Sequence, residues 1–131
     1  MADVTVKRLE DFDAAFGGAM KLARHGLGVQ SFGMQVIDMP PDWQDYPDHD
    51  HESDGQEEVY VALRGSGEVE VEGQRIPLDS DTFVRVGPAT KRKIYPGPDG
   101  LRLLALGGVP GGTFTPHQIT ELGGPETMAG V

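Results

Sequence analysis

From position 29 onward, strand-like segments alternate with turns rich in glycine and proline, with turn signals about every 8 to 12 residues. The clearest segment is "EVEVEG", in which Val69 and Val71 alternate with acidic residues. Such alternation is typical of a strand with one face in the core and the other in water. Other predicted strands are "FGMQVIDMP", "EEVYVAL", "QRIPL", "DTFVRVG", "KRKIY" and "LRLLALGG". Because no long helical pattern separates them, the sequence predicts an all-β, antiparallel sandwich or barrel.

The breaks between these segments predict where the chain turns. We expect turns at "RGSG", at Glu72-Gly73, at Pro88-Ala89 and at "PGPDG". The segment before position 29 is less regular, with a short edge strand predicted at Val4 to Val6 and at most a short helix or a wrapping loop after it. The tail after Pro110 is predicted to be a loosely packed extension.

Size and charge limit the function classes. A chain of 131 residues suits one domain, and we place its barrel core at about 29–109. Its 21 acidic and 11 basic residues give a net charge of −10, which opposes binding to nucleic acids and anionic membranes. The absence of cysteine excludes disulfides and thiolate chemistry. Because neither a signal peptide nor a long apolar run is visible, we predict a soluble, cytoplasmic protein.

The stretch "HDHESDGQEEVYVAL" carries the strongest chemical signal. His49 and His51 stand two residues apart, so on a strand their imidazoles would project to the same face. Two such rings can bind one metal ion, and a carboxylate from a neighbouring strand would complete a three-ligand site. This ligand set suits Fe²⁺, Mn²⁺, Zn²⁺ or Ni²⁺, and the spacing does not distinguish them. The competing interpretation is an exposed acidic loop that binds nothing.

These residues resemble the first motif of the cupin superfamily, in which a histidine pair precedes a glutamate and, six residues further on, a glycine. His49, His51, Glu58 and Gly65 occupy those positions. The resemblance covers about residues 29–109. It implies a jelly-roll-type cupin β-barrel, commonly a homodimer, with a small-molecule ligand and a divalent metal inside the barrel.

The motif departs from the family pattern in two places. Six residues, 52–57, separate His51 from Glu58, where the family has three or four. Trp43 stands where the family has its first glycine. The longer spacing leaves Glu57 and Asp54 as alternative acidic ligands. We favour Glu58, because it shares a face with Tyr60 and Ala62 and keeps the spacing to the glycine.

The family's second motif is more strongly altered, since none of its defining residues is kept. The third histidine ligand of the family falls at Arg92, which stays protonated and cannot bind a metal. Alternation predicts that Arg92 and Ile94 face inward. Inside the barrel, the arginine could pair with Glu58 in place of a metal, clamp a substrate carboxylate beside a metal, or hold an anionic ligand in a metal-free pocket.

Aromatic residues near the site also have two interpretations each. Tyr60 is predicted to contribute to ligand binding, although it could equally fill the core. Phe83 could also line a pocket, but we expect it to fill the core. Trp43 and Tyr46 could cover the end of the barrel, but we favour packing against its rim.

The sequence therefore leads to two functional hypotheses. The first is a metal- and anion-binding barrel whose resemblance suggests a dioxygenase or an isomerase, with His49, His51 and Glu58 as metal ligands and Arg92 and Tyr60 at the ligand. The alternative is a non-catalytic, metal-free module that binds or senses a small molecule, its site closed by a Glu58–Arg92 ion pair. Composition and spacing do not decide whether the protein is an enzyme.

Overall fold

A computed structural model describes residues 2–116 of the chain. Within this range all seven strands belong to one antiparallel sheet. The strands are β1 (Ala14–Ala15), β2 (Met20–Lys21), β3 (Gly33–Met39), β4 (Glu57–Val71), β5 (Gln74–Leu78), β6 (Val84–Val86) and β7 (Lys93–Gly108). The helical elements are α1 (Ala23–Leu27) and two 3₁₀ turns, at Leu9–Asp11 and Phe16–Gly18. The predicted all-β class is confirmed.

The two longest strands, β4 and β7, organise the sheet. Its strand order is β1-β2-β3-β7-β4-β5, and β6 pairs with the first part of β4. All of these pairs are antiparallel. The tight β4–β5 connection is the predicted turn at Glu72-Gly73, where both residues have positive φ, 51° and 79°. Such a pair is typical of the two-residue turns that join hairpin strands.

The core lies on one face of this curved sheet. Paired residues lie on the same face, and Ile37, Leu103 and Ala62 form one buried row across β3, β7 and β4. The fully buried Val69 and Ile94 extend it along β4 and β7. The predicted inward alternation of Glu58, Tyr60 and Ala62 and of Arg92 and Ile94 is confirmed by their burial.

Two predicted turns are wrong. "RGSG" lies inside β4 and "PGPDG" lies inside β7, so each segment bends a continuous strand and does not reverse the chain. The register of β4 on β7 shifts at two places in this region. Gly65 is required there, because it has a φ of 74° and a Cβ on it would lie 2.2 Å from the carbonyl oxygen of Gly100. The glycines that suggested turns serve to bend paired strands.

Three local predictions are also wrong. Residues 4–6 form no strand, and Val4 and Val6 are largely exposed. Phe83 is 71% exposed and is not part of the core. It precedes a strand that is shorter than "DTFVRVG", since β6 spans only Val84–Val86. The predicted tail falls mostly outside the described residues. In the described part of the chain, no helix has the length and apolar character needed to cross a membrane.

Candidate metal and ligand site

The loop between β3 and β4 carries both histidines, and three backbone hydrogen bonds hold it against the rest of the protein. The N–H of His49 donates to the oxygen of Arg92 (3.0 Å), and the N–H of Arg92 donates to the oxygen of His49 (2.8 Å). The N–H of His51 donates to the oxygen of Pro88 (2.8 Å). The histidines therefore lie on a loop with an isolated bridge, and not on a regular strand as the spacing suggested.

His49, His51 and Glu58 come together at the end of this loop. One potential ligand atom from each lies within 4.8 Å of the other two. Nε2 of His51 is 3.1 Å from Oε1 of Glu58. Both of these side chains are buried, and Glu58 begins the inward-facing series on β4. The three residues proposed from the sequence as metal ligands are therefore neighbours in the fold.

Both imidazoles have their Nδ1 atoms engaged with oxygen acceptors. Nδ1 of His49 lies 3.0 Å from the carbonyl oxygen of Pro47. Nδ1 of His51 lies 3.1 Å from each carboxylate oxygen of Asp54. A carbonyl and a carboxylate have no hydrogen to donate, so Nδ1 is the donor in each ring. In the neutral rings this leaves Nε2 as the atom with a free lone pair, and in His51 this atom lies 3.1 Å from Oε1 of Glu58.

The two other acids considered as ligands lie elsewhere. Asp54 lies behind His51 and also accepts hydrogen bonds from the backbone and side chain of Gln56, both at 3.1 Å. Glu57 points to the opposite face of β4, where it pairs with Arg85 at 2.7 Å. Glu58 is therefore the acid placed beside the histidines, while Asp54 fixes the orientation of His51.

Arg92 is fully buried beside the cluster and is only partly satisfied. Its NH2 donates to the oxygen of Gly87 (2.8 Å). Its NH1 is 3.6 Å from Oε1 of Glu58, which is within the range of an ion pair but longer than a hydrogen bond. Among residues 2–116, neither NH1 nor Nε has a hydrogen-bond partner, and Nε2 of His49 is a third buried atom without one. Three unpartnered polar atoms in one buried cluster are unusual, because each costs about 1–3 kcal/mol when left unsatisfied.

Two tyrosines lie deeper in the barrel behind Glu58. The hydroxyl of Tyr60 donates to Oε1 of Glu58. Tyr46 is also fully buried, its hydroxyl is hydrogen-bonded with that of Tyr60, and its ring lies 5.6 Å from that of His49. Burial, followed by the nearby Glu58 charge, raises the pKa of Tyr46 well above its usual value. The sequence interpretation placed Tyr46 at the rim, and its position three residues before His49 was the available signal for a place in the site.

Solved structures with a similar architecture identify the fold of this chain. No protein-family model matches the chain, and no curated protein matches it. Among solved structures, a cupin protein from Bacteroides fragilis matches 92% of this chain and 96% of its own, with a TM-score of 0.64 and 19% identity. A Cupin 2 conserved barrel domain protein from Salinispora arenicola matches 60% of this chain and 63% of its own, with a TM-score of 0.52 and 19% identity.

The chain has the cupin fold. A further similar structure is a sugar phosphate isomerase of the cupin superfamily from Silicibacter pomeroyi. It matches 86% of this chain and 77% of its own, with a TM-score of 0.67 and 13% identity. The predicted cupin resemblance is thus confirmed at the level of the fold. These identities are too low to transfer a function, which has to be argued from the site itself.

The two histidines of this site differ in their pKa values. Burial lowers the pKa of His49, so this ring is neutral at physiological pH. Burial also lowers the pKa of His51, but hydrogen bonds and charge from Glu58 and Asp54 outweigh it and raise the pKa to about 9. Without a metal, His51 is an imidazolium between two carboxylates. A metal ion would replace its Nε2 proton.

A cavity of about 420 Å³ lies away from these residues. Its lining includes Asp38, Arg64, Asp99 and Arg102, and none of the five predicted site residues. Arg102 is already paired with Asp38 at 2.7 Å. The buried cluster, where polar atoms lack partners among the described residues, is therefore the stronger candidate for a functional site.

Proposed function

We propose that this cupin binds a divalent transition-metal ion through His49, His51 and Glu58, together with a small oxygenated anion held by Arg92. One observation carries the proposal: Nε2 of His49 is buried without a hydrogen-bond partner among residues 2–116, in a ring that belongs to a cluster with a second imidazole and a carboxylate. A bound cation would give this buried nitrogen lone pair the partner that it lacks.

The three ligand atoms lie near the separations that such an ion requires. Two atoms that each lie about 2.1 Å from one ion are roughly 3.0–3.4 Å apart at octahedral or tetrahedral angles. Nε2 of His51 and Oε1 of Glu58, 3.1 Å apart, already have this separation, and atoms up to 4.8 Å apart would have to approach by about 1.4 Å or less for a tetrahedral site. The Nδ1 hydrogen bonds to Pro47 and Asp54 match the outer partners that usually orient histidine ligands.

Arg92 supports an anionic ligand. Its unpartnered donors lie next to the proposed metal position, since NH1 is 3.6 Å from the same carboxylate that would bind the ion. A small molecule with one anionic group and neighbouring oxygens could contact both. The Silicibacter pomeroyi neighbour is described as a sugar phosphate isomerase, and a sugar phosphate has this combination of groups. A bound metal would supply Lewis-acid polarisation of such oxygens, or a position for O₂.

Isomerisation and dioxygenation are the reaction classes that we propose for this site if the protein is an enzyme. The alternative is a metal-free binding or sensing module, in which Glu58 and Arg92 neutralise each other. Their 3.6 Å separation and the missing hydrogen bonds of Arg92 favour the first proposal, because a closed ion pair would satisfy NH1.

We also propose that two copies associate through the outer face of the sheet. This face is apolar along three adjacent strands: Met34 on β3, Leu104 and Leu106 on β7 and Val59 on β4 are half-buried, while Val36 and Val61 between them are buried. Next to it, Leu63 is 50% exposed and Phe83 is 71% exposed. The ion pairs Asp38–Arg102 and Glu57–Arg85 lie at the edges of this patch, and neither pair has a net charge. An apolar patch with a polar rim is characteristic of protein interfaces. We retain cytoplasmic localisation as a prediction.

The decisive experiment is the metal content of protein purified without an affinity tag, followed by titration of the metal-free protein with Mn²⁺, Fe²⁺, Ni²⁺ and Zn²⁺. We expect about one equivalent of metal per chain, lost in His49→Ala and retained in His25→Ala, a matched change on α1. Protein that neither contains nor takes up any of the four ions would refute the metal proposal. Oxygen uptake and isomerisation of sugar phosphates by the metal-loaded protein then separate the two reaction classes.

A further inference from the structure

We propose that Tyr60 is a positioning residue that holds Glu58 away from Arg92 and so keeps the arginine donors available to a ligand. This inference deepens the proposed function and depends on it for the binding measurements below. The predicted arrangement of three buried side chains, those of Tyr60, Glu58 and Arg92, can be tested without a metal or a ligand.

The starting point is a buried acid and a buried guanidinium that do not form a hydrogen bond. NH1 of Arg92 lies 3.6 Å from Oε1 of Glu58, although both side chains are almost inaccessible to water and NH1 has no hydrogen-bond partner in the described part of the chain. A charge-assisted hydrogen bond between such groups normally closes to about 2.7–2.9 Å. Something in the site must favour the longer distance.

The crowding of Oε1 of Glu58 supplies the reason. This oxygen accepts the hydroxyl hydrogen of Tyr60 and also lies 3.1 Å from Nε2 of His51. A carboxylate oxygen has two lone pairs. With both engaged, Oε1 has little remaining capacity for Arg92, and the carboxylate cannot turn without breaking one of these contacts.

Tyr60 is well placed for this function. It lies two residues after Glu58 on β4, so both side chains project from the same face of the strand. Its side chain is fully buried, and Tyr46 is hydrogen-bonded to it from behind. The hydroxyl therefore has a fixed position, and its hydrogen bond limits the rotation of the Glu58 carboxylate.

Removal of this hydroxyl should close the site. In Tyr60→Phe, Oε1 loses one donor, and NH1 of Arg92 is the unpartnered donor beside it. We expect Glu58 to turn toward Arg92 and to form the ion pair. The carboxylate would then be withdrawn from the metal position, and NH1 would no longer be available to an anion.

The binding test uses Mn²⁺ and Zn²⁺ as probes and compares wild type, Tyr60→Phe and Tyr95→Phe, a matched loss of a hydroxyl from β7. We expect metal affinity to fall about 10–100-fold in Tyr60→Phe, the range typical of lost outer partners, and to be unchanged in Tyr95→Phe. Wild-type affinity in a folded Tyr60→Phe protein would overturn the inference.

A double-variant cycle separates positioning from general damage to the core. In the background of Arg92→Met the competing guanidinium is gone, so adding Tyr60→Phe should lower metal affinity much less than it does in wild type. A loss of the same size in both backgrounds would mean that Tyr60 acts only through packing, and the inference would be rejected.

A structural measurement tests the inference without any metal. In a crystal structure of metal-free Tyr60→Phe, the distance from NH1 of Arg92 to the nearest oxygen of Glu58 should shorten from 3.6 Å to hydrogen-bonding distance. An unchanged separation would contradict the role of Tyr60. If wild type binds no metal, the proposed function fails, while this distance still decides the present inference.

Discussion

The backbones of His49 and Arg92 are joined by two reciprocal hydrogen bonds, of 3.0 and 2.8 Å. This pairing links the loop that carries the histidines to the residue just before β7. The resemblance in sequence puts Arg92 at the position of a third histidine, and its buried side chain lies beside the other predicted ligands. The side chain at this position is therefore part of the cluster, although a guanidinium cannot bind a metal.

Restoring an imidazole at this position should strengthen metal binding. In Arg92→His, a fourth ligand would become available and the neighbouring positive charge would be removed, so we expect metal affinity to rise at least about tenfold, or 1.4 kcal/mol. Isothermal titration calorimetry with Zn²⁺ and Mn²⁺ measures this. Arg92→Met is the control, since it removes the charge without adding a ligand. Equal affinities of the two variants would show that the side chain at 92 does not reach the metal.

Asp54 should influence metal affinity without contacting the ion. Its carboxylate accepts from Nδ1 of His51 and fixes the ring with Nε2 toward Glu58. We expect Asp54→Asn to lower metal affinity about 10–100-fold. Asp50→Asn is the matched control, since the Asp50 carboxylate accepts from the backbone N–H of Glu52. An identical affinity for both variants would argue against an orienting function of Asp54.

Much of this site was predictable because it follows from local spacing. The alternation along β4 correctly put Glu58, Tyr60 and Ala62 on the inner face, and the same rule put Arg92 inside. The hydrogen bonds of Asp54 and the deep burial of Tyr46 depend on how an irregular loop folds back, and no periodic pattern encodes that path. The exposure of Phe83 was not predicted, because an apolar residue that immediately precedes a short strand has the same sequence pattern as a core residue.

Substitution of Gly65 tests the bend in β4 at "RGSG", where the sequence predicted a turn. Gly65 and Gly73 both have positive φ, but a Cβ meets backbone only at Gly65, whereas nothing lies within 4 Å at Gly73. Either alanine substitution incurs backbone strain of about 1–2 kcal/mol. Gly65→Ala should lose roughly a further 1–3 kcal/mol from overpacking. Urea unfolding of the two variants measures the difference, and equal losses would contradict the close approach of β4 and β7.

The outer face predicts a dimer that surface charges can disrupt. Leu63→Glu and Phe83→Glu each place a charge beside the apolar patch, so we expect the mass from light scattering to change from that of two chains to that of one. Val4→Glu is the control, because Val4 is about as exposed as Phe83 but lies outside the sheet. A wild-type protein of single-chain mass at micromolar concentration would refute this association.

His51 should make the stability of the metal-free protein depend on pH. Its folded-state pKa is raised from 6.5 to about 9, since hydrogen bonds and charge from Glu58 and Asp54 outweigh the lowering effect of burial. Its stabilising contribution is therefore complete below pH 6.5 and is lost as the pH rises through 9. We expect the free energy of unfolding to fall by roughly 1–3 kcal/mol over this window, an upper range because solvent at Asp54 screens the interaction.

Urea unfolding in the presence of a chelator, at pH 6.5 and pH 9.5, measures this loss. His51→Gln is the control: glutamine carries no titrating group, so its stability should change much less over the same window. Wild type and His51→Gln with the same pH dependence would show that the imidazolium between the two carboxylates contributes nothing. A loss confined to wild type would identify the proton that a metal ion has to displace, and metal binding at pH 7 should then release about one proton per ion.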